Sequence, residues 1–289
     1  MHIETIVNSR PDRELRKQII TPGDYNIVPY EDSRCRIKVT EISCKNETGP
    51  CEIEPESRIL SGNFDGSVLI GDNDSFIDKD FELILQQMCC DETCLAALVY
   101  RDNVGSLVKE ISCKIELTEV TEEQLISDWS RERLYEAALY HKEKGVALVK
   151  EKRIADAFRR FNKALKMLIA TEPLDPESVS EEMVQEMVDL KIKLYNNLAH
   201  CQLQFNEFNA TLELCNKALS FAPENLKALY RRCLGYAGLH LYEEAWKDIQ
   251  HVLTIDPNDK AAQQKANALK PKIEKMNKEY ANVIKKMFG

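Results

Sequence analysis

The sequence lacks the closely spaced metal ligands and nucleophile motifs of many enzymes. No histidine occurs between residues 3 and 140, and the ten cysteines include no Cys-x-x-Cys pair. A tetrahedral zinc site would therefore need thiolates distant in sequence, even beside the cluster of Cys89, Cys90 and Cys94. None of the five histidines stands at a motif spacing from a Ser or Cys nucleophile, which argues against a catalytic triad. We expect no metal and no cofactor.

Long apolar runs are also absent. No stretch approaches the roughly 20 residues that cross a bilayer, and the N-terminus shows no charged segment followed by an apolar one. We therefore expect no membrane partner and no secretory signal, and a location in the cytoplasm or also in the nucleus. The ten cysteines are then interpreted as reduced thiols.

Positive charge is scarce in the first part of the chain. Residues 1–120 carry 13 Lys and Arg against 23 Asp and Glu, a net charge of −10, whereas the remainder carries 26 against 25. Binding to a phosphate backbone needs a basic surface. The acidic first part therefore argues against a nucleic-acid partner.

The acidic part alternates between short strands and one helix. Arg34–Ser43 and Ile111–Val120 alternate apolar and polar side chains, and Leu95–Tyr100 is a short apolar run, which together predict three strands. The helical spacing of apolar residues in Phe76–Met88 predicts one helix. Residues 1–33 are polar and contain three prolines, so we expect a ragged arm and then a first strand. Strands around one short helix indicate an α+β domain.

Three positions recur 34 residues apart in the second half of the chain. The matching pairs are Ala199 with Cys233, Thr211 with Ala245, and Pro223 with Pro257. Small residues and a proline at this period are typical of the tetratricopeptide repeat, a pair of helices. An upstream copy, with Gly145, Ala157, Phe161 and Ala164, stands 54 residues before the next, so about 20 extra residues lengthen its second helix or the following loop. Stacked helix pairs form a groove that binds a partner's peptide.

These patterns predict two domains. The first spans residues 1–120 and the second 121–289, with helix pairs at about 138–190, 192–225 and 226–259 and a final helix at 261–288. Thr121-x-x-Gln124 is a capping box, so we expect a helix between the domains. The final helix has many lysines and an apolar side formed by Ile273, Met276, Tyr280, Val283, Ile284 and Met287. It is expected to cover the last repeat, and the alternative is a calmodulin target.

Four stretches of the second half resemble the FKBP-type immunophilins that carry tetratricopeptide repeats. They are KEKG at 142–145, YNNLAHC at 195–201, NLKALYRR at 225–232 and YANVIKKMF at 280–288. The resemblance covers roughly residues 14–289 and is strong from Trp129 onward. It implies an FKBP-like antiparallel sheet with one short helix, followed by three helix pairs and a C-terminal capping helix.

In that family the groove carries a carboxylate clamp for the C-terminal Glu-Glu-Val-Asp tail of cytosolic Hsp90 or Hsp70. The resemblance places the clamp on Lys142, Asn197, Lys227 and Arg231, and it places Val146 where many relatives have a second asparagine. Lys227 and Arg231 are four residues apart and so share one helix face. Three cations and an amide donor suit a ligand that presents two carboxylates. The alternative is that these side chains simply solvate the groove.

The same resemblance bears on whether the first domain is a peptidyl-prolyl isomerase. Isomerases of this family hold the substrate proline in an aromatic pocket, and this domain has few aromatic residues. Phe81 would replace the tryptophan at the pocket floor and Tyr100 would match a late tyrosine, whereas Ile37–Ile42 contains no aromatic residue. We therefore expect an FKBP fold that has lost its pocket and retains only these two residues as a vestige. The alternative for Phe81 is an ordinary core residue.

Together these observations predict a non-catalytic cochaperone or adaptor. Its repeats would bind an acidic chaperone tail, and its first domain would present a surface to a client such as a kinase or a nuclear receptor. A resemblance to a divergent insect member of the family implies a casein kinase as that client. The alternatives are an active peptidyl-prolyl isomerase and a scaffold whose repeats bind an internal segment of a partner.

Overall fold

The computed structural model describes residues 4–53, 57–121, 126–172 and 180–288. The chain divides into two compact units, residues 1–125 and 126–289, and each has its own hydrophobic core. Most of the predicted capping box at 121–124 lies outside the described residues.

The first unit is a seven-stranded antiparallel sheet with one helix, as the α+β prediction required. Its order is β1-β2-β6-β7-β3-β4, and β5 also pairs with β3. The elements are β1 (Glu4–Arg10), β2 (Arg13–Thr21), β3 (Arg34–Asn46), β4 (Gly49–Pro50), β5 (Phe64–Leu69), α1 (Phe76–Leu85), β6 (Thr93–Arg101) and β7 (Leu107–Thr121).

Alternation along the strands places the core of this unit between the sheet and α1. Inward residues of β3 and β7, such as Ile37 and Ile115, have no exposed surface, whereas their neighbours along each strand are partly or fully exposed. On α1, Ile77, Phe81 and Ile84 are fully buried. The period-two and helical patterns of the sequence are therefore confirmed in these elements.

The expectation of a ragged arm before a single strand is wrong, because residues 4–21 form the hairpin of β1 and β2. β1 lies at the edge of the sheet and is mostly exposed. On β2, Lys17 is buried, and its Nζ lies 2.8 Å from Glu92 Oε1. A charged residue at an inward position hides the apolar alternation by which strands are recognised.

The second unit consists of three helix pairs and a final helix. After a short 3₁₀ turn at Ile126–Asp128, the pairs are α2 (Arg131–Lys150) with α3 (Ile154–Ala170), α4 (Glu181–Gln204) with α5 (Phe208–Phe221), and α6 (Leu226–Gly238) with α7 (Tyr242–Ile255); the final helix is α8 (Lys260–Phe288). Ser130, Ser180 and Asn225 begin α2, α4 and α6 by accepting hydrogen bonds from backbone N–H groups.

Small side chains let the two helices of each pair approach closely. The recurrent Ala199, Cys233, Thr211 and Ala245 are all fully buried. At Gly145 the approach is especially close, because a methyl group there would lie 2.5 Å from the ring of Phe161 on α3. Only glycine fits that position without a shift of the neighbouring helix.

The extra residues of the first repeat lie in the α3–α4 connection and at the start of α4. α4 has 24 residues, compared with 13 in the corresponding α6, and it begins at Glu181, before the repeat start predicted at 192. The final helix does pack on the last repeat, but through Ala262, Ala266 and Leu269. Downstream residues such as Tyr280 and Met287 are more than two-thirds exposed.

Replacing Gly145 by Ala is expected to destabilise the repeat unit by about 1–3 kcal/mol, because the added methyl group overlaps the Phe161 ring. Both tryptophans, Trp129 and Trp246, lie in this unit, so urea unfolding followed by tryptophan fluorescence reports its stability. Gly235→Ala is the matched control, since its methyl group would meet the flexible end of Leu212 at 3.0 Å. Equal stability of the two variants would contradict the packing described here.

Candidate peptide-binding groove

The four residues predicted as a carboxylate clamp lie on the first helices of the three pairs. Lys142 is on α2, Asn197 on α4, and Lys227 and Arg231 are on α6. Lys142, Asn197 and Lys227 line one cavity of about 640 Å³. Its other lining residues are Ile192, Lys193, Asn196, Glu224, Asn225 and Leu226.

Arg231 lies in an adjoining cavity of about 400 Å³. The two cavities share Leu226 and Lys227, and together we call them the groove. The second cavity is richer in apolar side chains, and its remaining lining consists of His200, Leu203, Gln204, Tyr230, Leu234, Asp259 and Ala261. The structure thus places three of the predicted residues around one cavity and the fourth in the next.

The cations of the groove have few carboxylate partners. Within the described ranges, Lys193, Lys227 and Arg231 form no ion pair with a carboxylate, and Lys142 Nζ lies 3.9 Å from Glu143 Oε1 on its own helix. Such a separation is at the limit of an ion pair and contributes little at a solvated position. The groove therefore presents positive charge that an anionic ligand can neutralise.

A hydrogen-bond network holds the guanidinium of Arg231. The buried Asn196 accepts from Arg231 Nη1 through Oδ1 at 3.2 Å, and its Nδ2 donates to Asn225 Oδ1 at 3.2 Å and to the Ile192 carbonyl at 3.0 Å. Asn225 Oδ1 also accepts from Ala228 N at 3.0 Å, at the start of α6. The network ties α4 to the beginning of α6 and orients Arg231 between them.

The charge of the groove at neutral pH is set by four cations and two carboxylates. Burial lowers the pKa of Arg231, but a guanidinium stays protonated in proteins. Burial, and secondly the charge of Arg231, also lowers the pKa of His200, which is therefore neutral near pH 7. Of the two carboxylates, Glu224 is exposed, and Asp259 Oδ1 is occupied as an acceptor at the start of α8. The balance of charge is positive.

Val146 stands one turn after Lys142 on α2, beside a further cavity of about 400 Å³ lined also by Lys150. The side chain is half-buried and packs against the core of the repeat unit. The side chain of valine has no amide group, so it supplies no hydrogen bond to a peptide in the neighbouring groove.

Two residues of the groove were missed by sequence reasoning. Lys193 lies four residues before Asn197 and hence on the same face of α4, a spacing that was available in the sequence. Asn196 carries no such signal, because its role depends on the contact between α4 and the start of α6.

The two predicted vestigial residues of the first unit are engaged inside it. Phe81 has no exposed surface and packs in the core. The Tyr100 hydroxyl donates to Asp80 Oδ2 at 3.1 Å, and the Tyr100 ring meets Phe76 edge to face at 5.7 Å between centroids. Asp80 also forms an ion pair with Arg13, and burial raises the pKa of Tyr100.

The cysteine cluster of the first unit does not form a metal site among the described residues, where no three potential ligands come together. Cys94 Sγ instead lies 3.6 Å from Met88 Sδ. Burial raises the pKa of Cys94 to about 12, which keeps its thiol protonated and a poor ligand. No described helix is both long enough and apolar enough to span a membrane.

Comparison with known proteins gives relatives along most of the chain, although no family model matches it. Human peptidyl-prolyl cis-trans isomerase FKBP4 is 31% identical over 162 residues, which is 55% of this chain and 34% of that protein. FK506-binding protein 59 of Drosophila melanogaster is 27% identical over 290 residues, which is 91% of this chain and 62% of that protein. The chain therefore spans between about a third and three fifths of the length of these curated relatives.

A solved structure is similar to most of this chain. The crystal structure of residues 1–211 of CG17282 has a TM-score of 0.55 and 26% identity, and the match covers 72% of this chain and 97% of that one. The sequence relatives, this structural match and the order of an antiparallel sheet unit followed by helix pairs agree. The chain is thus similar to FKBP-type immunophilins that carry tetratricopeptide repeats.

Proposed function

We propose that this protein is a non-catalytic cochaperone or adaptor whose groove binds the acidic C-terminal tail of a chaperone such as Hsp90 or Hsp70. One observation carries the proposal. Lysines from three different helices and Arg231 surround two adjoining cavities, and most of them lack a carboxylate partner among the described residues. The similarity to FKBP-type immunophilins supports the same ligand class.

A tail that ends in Asp suits this arrangement because it presents two carboxylates side by side. Lys142 and Lys227 act as point charges, whereas Arg231 can grip a carboxylate through two parallel N–H groups. Asn196 already orients the guanidinium, so less conformational freedom is lost on binding. Asn197 supplies an amide donor in the same cavity.

The intact protein is expected to bind a peptide ending in Met-Glu-Glu-Val-Asp with micromolar affinity. Lys227→Ala should weaken binding at least about tenfold, or about 1.4 kcal/mol, because it removes a cation from both cavities. Isothermal titration calorimetry measures both values. Lys247→Ala is the matched control, since Lys247 is an exposed lysine on α7 that lines neither cavity.

The same titration with a C-terminally amidated peptide separates the clamp from a scaffold that binds an internal segment. A clamp loses most of its affinity when the terminal carboxylate is removed. Equal affinity for both peptides, or equal binding by Lys227→Ala and the intact protein, would rule out the clamp.

Val146→Asn is expected to tighten binding of that peptide by about 0.5–1.5 kcal/mol, the usual net value of one hydrogen bond. The variant places a side-chain amide one turn after Lys142, where the family resemblance implies an asparagine. Val146→Ala is the control, because it removes apolar volume without adding a donor. If both variants bind alike, position 146 does not contact the ligand. Tryptophan fluorescence checks that each variant is folded.

The contacts of the first unit support the non-catalytic part of the proposal. Phe81 is buried in the core, and Tyr100 is held by Asp80 and Phe76. Phe81 therefore offers no exposed surface to a substrate proline, and the Tyr100 hydroxyl is already bonded to Asp80. The names of the relatives favour the alternative, an active peptidyl-prolyl isomerase.

We expect the 289-residue chain to leave the cis-trans exchange of a Leu-Pro peptide at its spontaneous rate, with a time constant of about 10–100 s at 25 °C. Exchange spectroscopy by NMR measures this rate directly, with an active FKBP domain as the positive control. An increase in rate proportional to the concentration of this protein would establish the isomerase instead.

The client of the first unit remains a proposal from the family resemblance. A kinase is the favoured class, and a casein kinase is implied by the resemblance to the insect protein Bride of Doubletime.

Binding of calmodulin to α8 is the less favoured prediction. The proposed location is the cytoplasm, with the nucleus as a second site.

A further inference from the structure

Two cysteines face each other across the hairpin that joins β3 and β4. Their Sγ atoms, in Cys44 and Cys51, lie 2.8 Å apart. Lys45 pairs with Pro50 in the antiparallel register, so the two cysteines, one position further from the turn, are directly opposite. The backbone N–H of Cys51 donates to the Cys44 carbonyl at 3.0 Å, which fixes this alignment.

The hairpin holds the two cysteines at a backbone separation that suits a disulfide. Opposite residues of an antiparallel pair have Cα atoms about 4.5–5.5 Å apart, within the range of about 4.4–6.8 Å that a disulfide needs. The turn is held by Thr48, whose N–H and hydroxyl both donate to Asn46 Oδ1 at 2.9 and 2.7 Å. Gly49 adopts a φ of 128°, which glycine accommodates without strain. A bond between the sulfurs therefore requires no rearrangement of the backbone.

Solvent exposure of one member distinguishes this pair from most of the other cysteines. Cys51 is half-buried, whereas Cys44 behind it is buried. Burial raises the pKa of Cys35, Cys113 and Cys215 to about 12, so these thiols stay protonated and unreactive. A small oxidant can reach Cys51 first and leave Cys44 as the neighbouring thiol that completes the reaction.

We propose that Cys44 and Cys51 are a reversible redox pair that a peroxide converts to an intramolecular disulfide. The Cys51 thiolate attacks hydrogen peroxide and becomes a sulfenic acid, and the leaving oxygen departs as water after taking up a proton. The Cys44 sulfur then displaces the sulfenic hydroxyl group as a second water. Two thiols and one peroxide thus yield one disulfide and two waters, and a dithiol reductant reverses the reaction. The bond holds the two-residue β4 on the edge of the sheet, where strand pairing is otherwise short.

Mild oxidation of the 289-residue chain with hydrogen peroxide, followed by alkylation and tryptic mass mapping without reductant, tests the proposal. Trypsin cuts after Lys45, so the two cysteines fall in separate peptides, 39–45 and 46–58, with one cysteine each. We expect these peptides to appear joined and two hydrogens lighter. Thiol titration of the denatured protein should fall by two from the ten cysteines of the sequence, and dithiothreitol should restore both.

Two variants test whether the crosslink depends on this pair of cysteines. Cys44→Ser should stop the reaction at the sulfenic acid of Cys51, which dimedone traps, and no crosslinked peptide should form. Cys90→Ser is the matched control, because Cys90 is the other half-buried cysteine, and it should leave the crosslink intact. The proposal is wrong if both peptides are recovered separately while thiols elsewhere are oxidised. It is equally wrong if each cysteine is oxidised singly without a crosslink.

Discussion

Close packing at small side chains is the constraint on which the repeat unit depends. The first and second helices of each pair meet at residues with almost no side-chain volume, and at Gly145 only a hydrogen atom separates the helix from the ring of Phe161. Protein interiors transmit such constraints because they are packed as tightly as crystals. The positions of α2, α4 and α6 follow from this packing, and with them the positions of Lys142, Asn197 and Lys227 around one cavity.

A second constraint acts within the groove itself. A buried amide is costly unless its donors and acceptor are satisfied, and Asn196 satisfies them through Arg231, Asn225 and the Ile192 carbonyl. The hydrogen bonds that satisfy the Asn196 amide also determine where the guanidinium of Arg231 lies. The side chain that stabilises the contact between α4 and α6 is thus the one that prepares a cation for an anionic ligand.

Ionic pairs with a buried partner occur in both units, and one of them explains an error of the sequence-based prediction. Lys17 pairs with Glu92 in the sheet unit, and Arg232 grips Asp248 through two hydrogen bonds of 2.8 and 2.7 Å in the repeat unit. Such pairs add little net stability, but breaking one is costly. On β2 the inward-facing Lys17 interrupts the alternation of apolar and polar residues that indicates a strand. The sequence therefore did not predict the hairpin of β1 and β2.

Elements whose burial is periodic could be predicted from the sequence alone. The 34-residue spacing predicted the helix pairs, the alternation of β3 and β7 predicted two strands of the sheet, and the family motifs placed the four candidate clamp residues on the first helices. Contacts between residues of different elements became known only from the three-dimensional fold. Asn196 reaches Arg231, Ala262 covers the last repeat, and Cys44 faces Cys51. Periodicity reports which face of one element is buried, whereas contacts between elements depend on strand register and helix packing, which no single segment encodes.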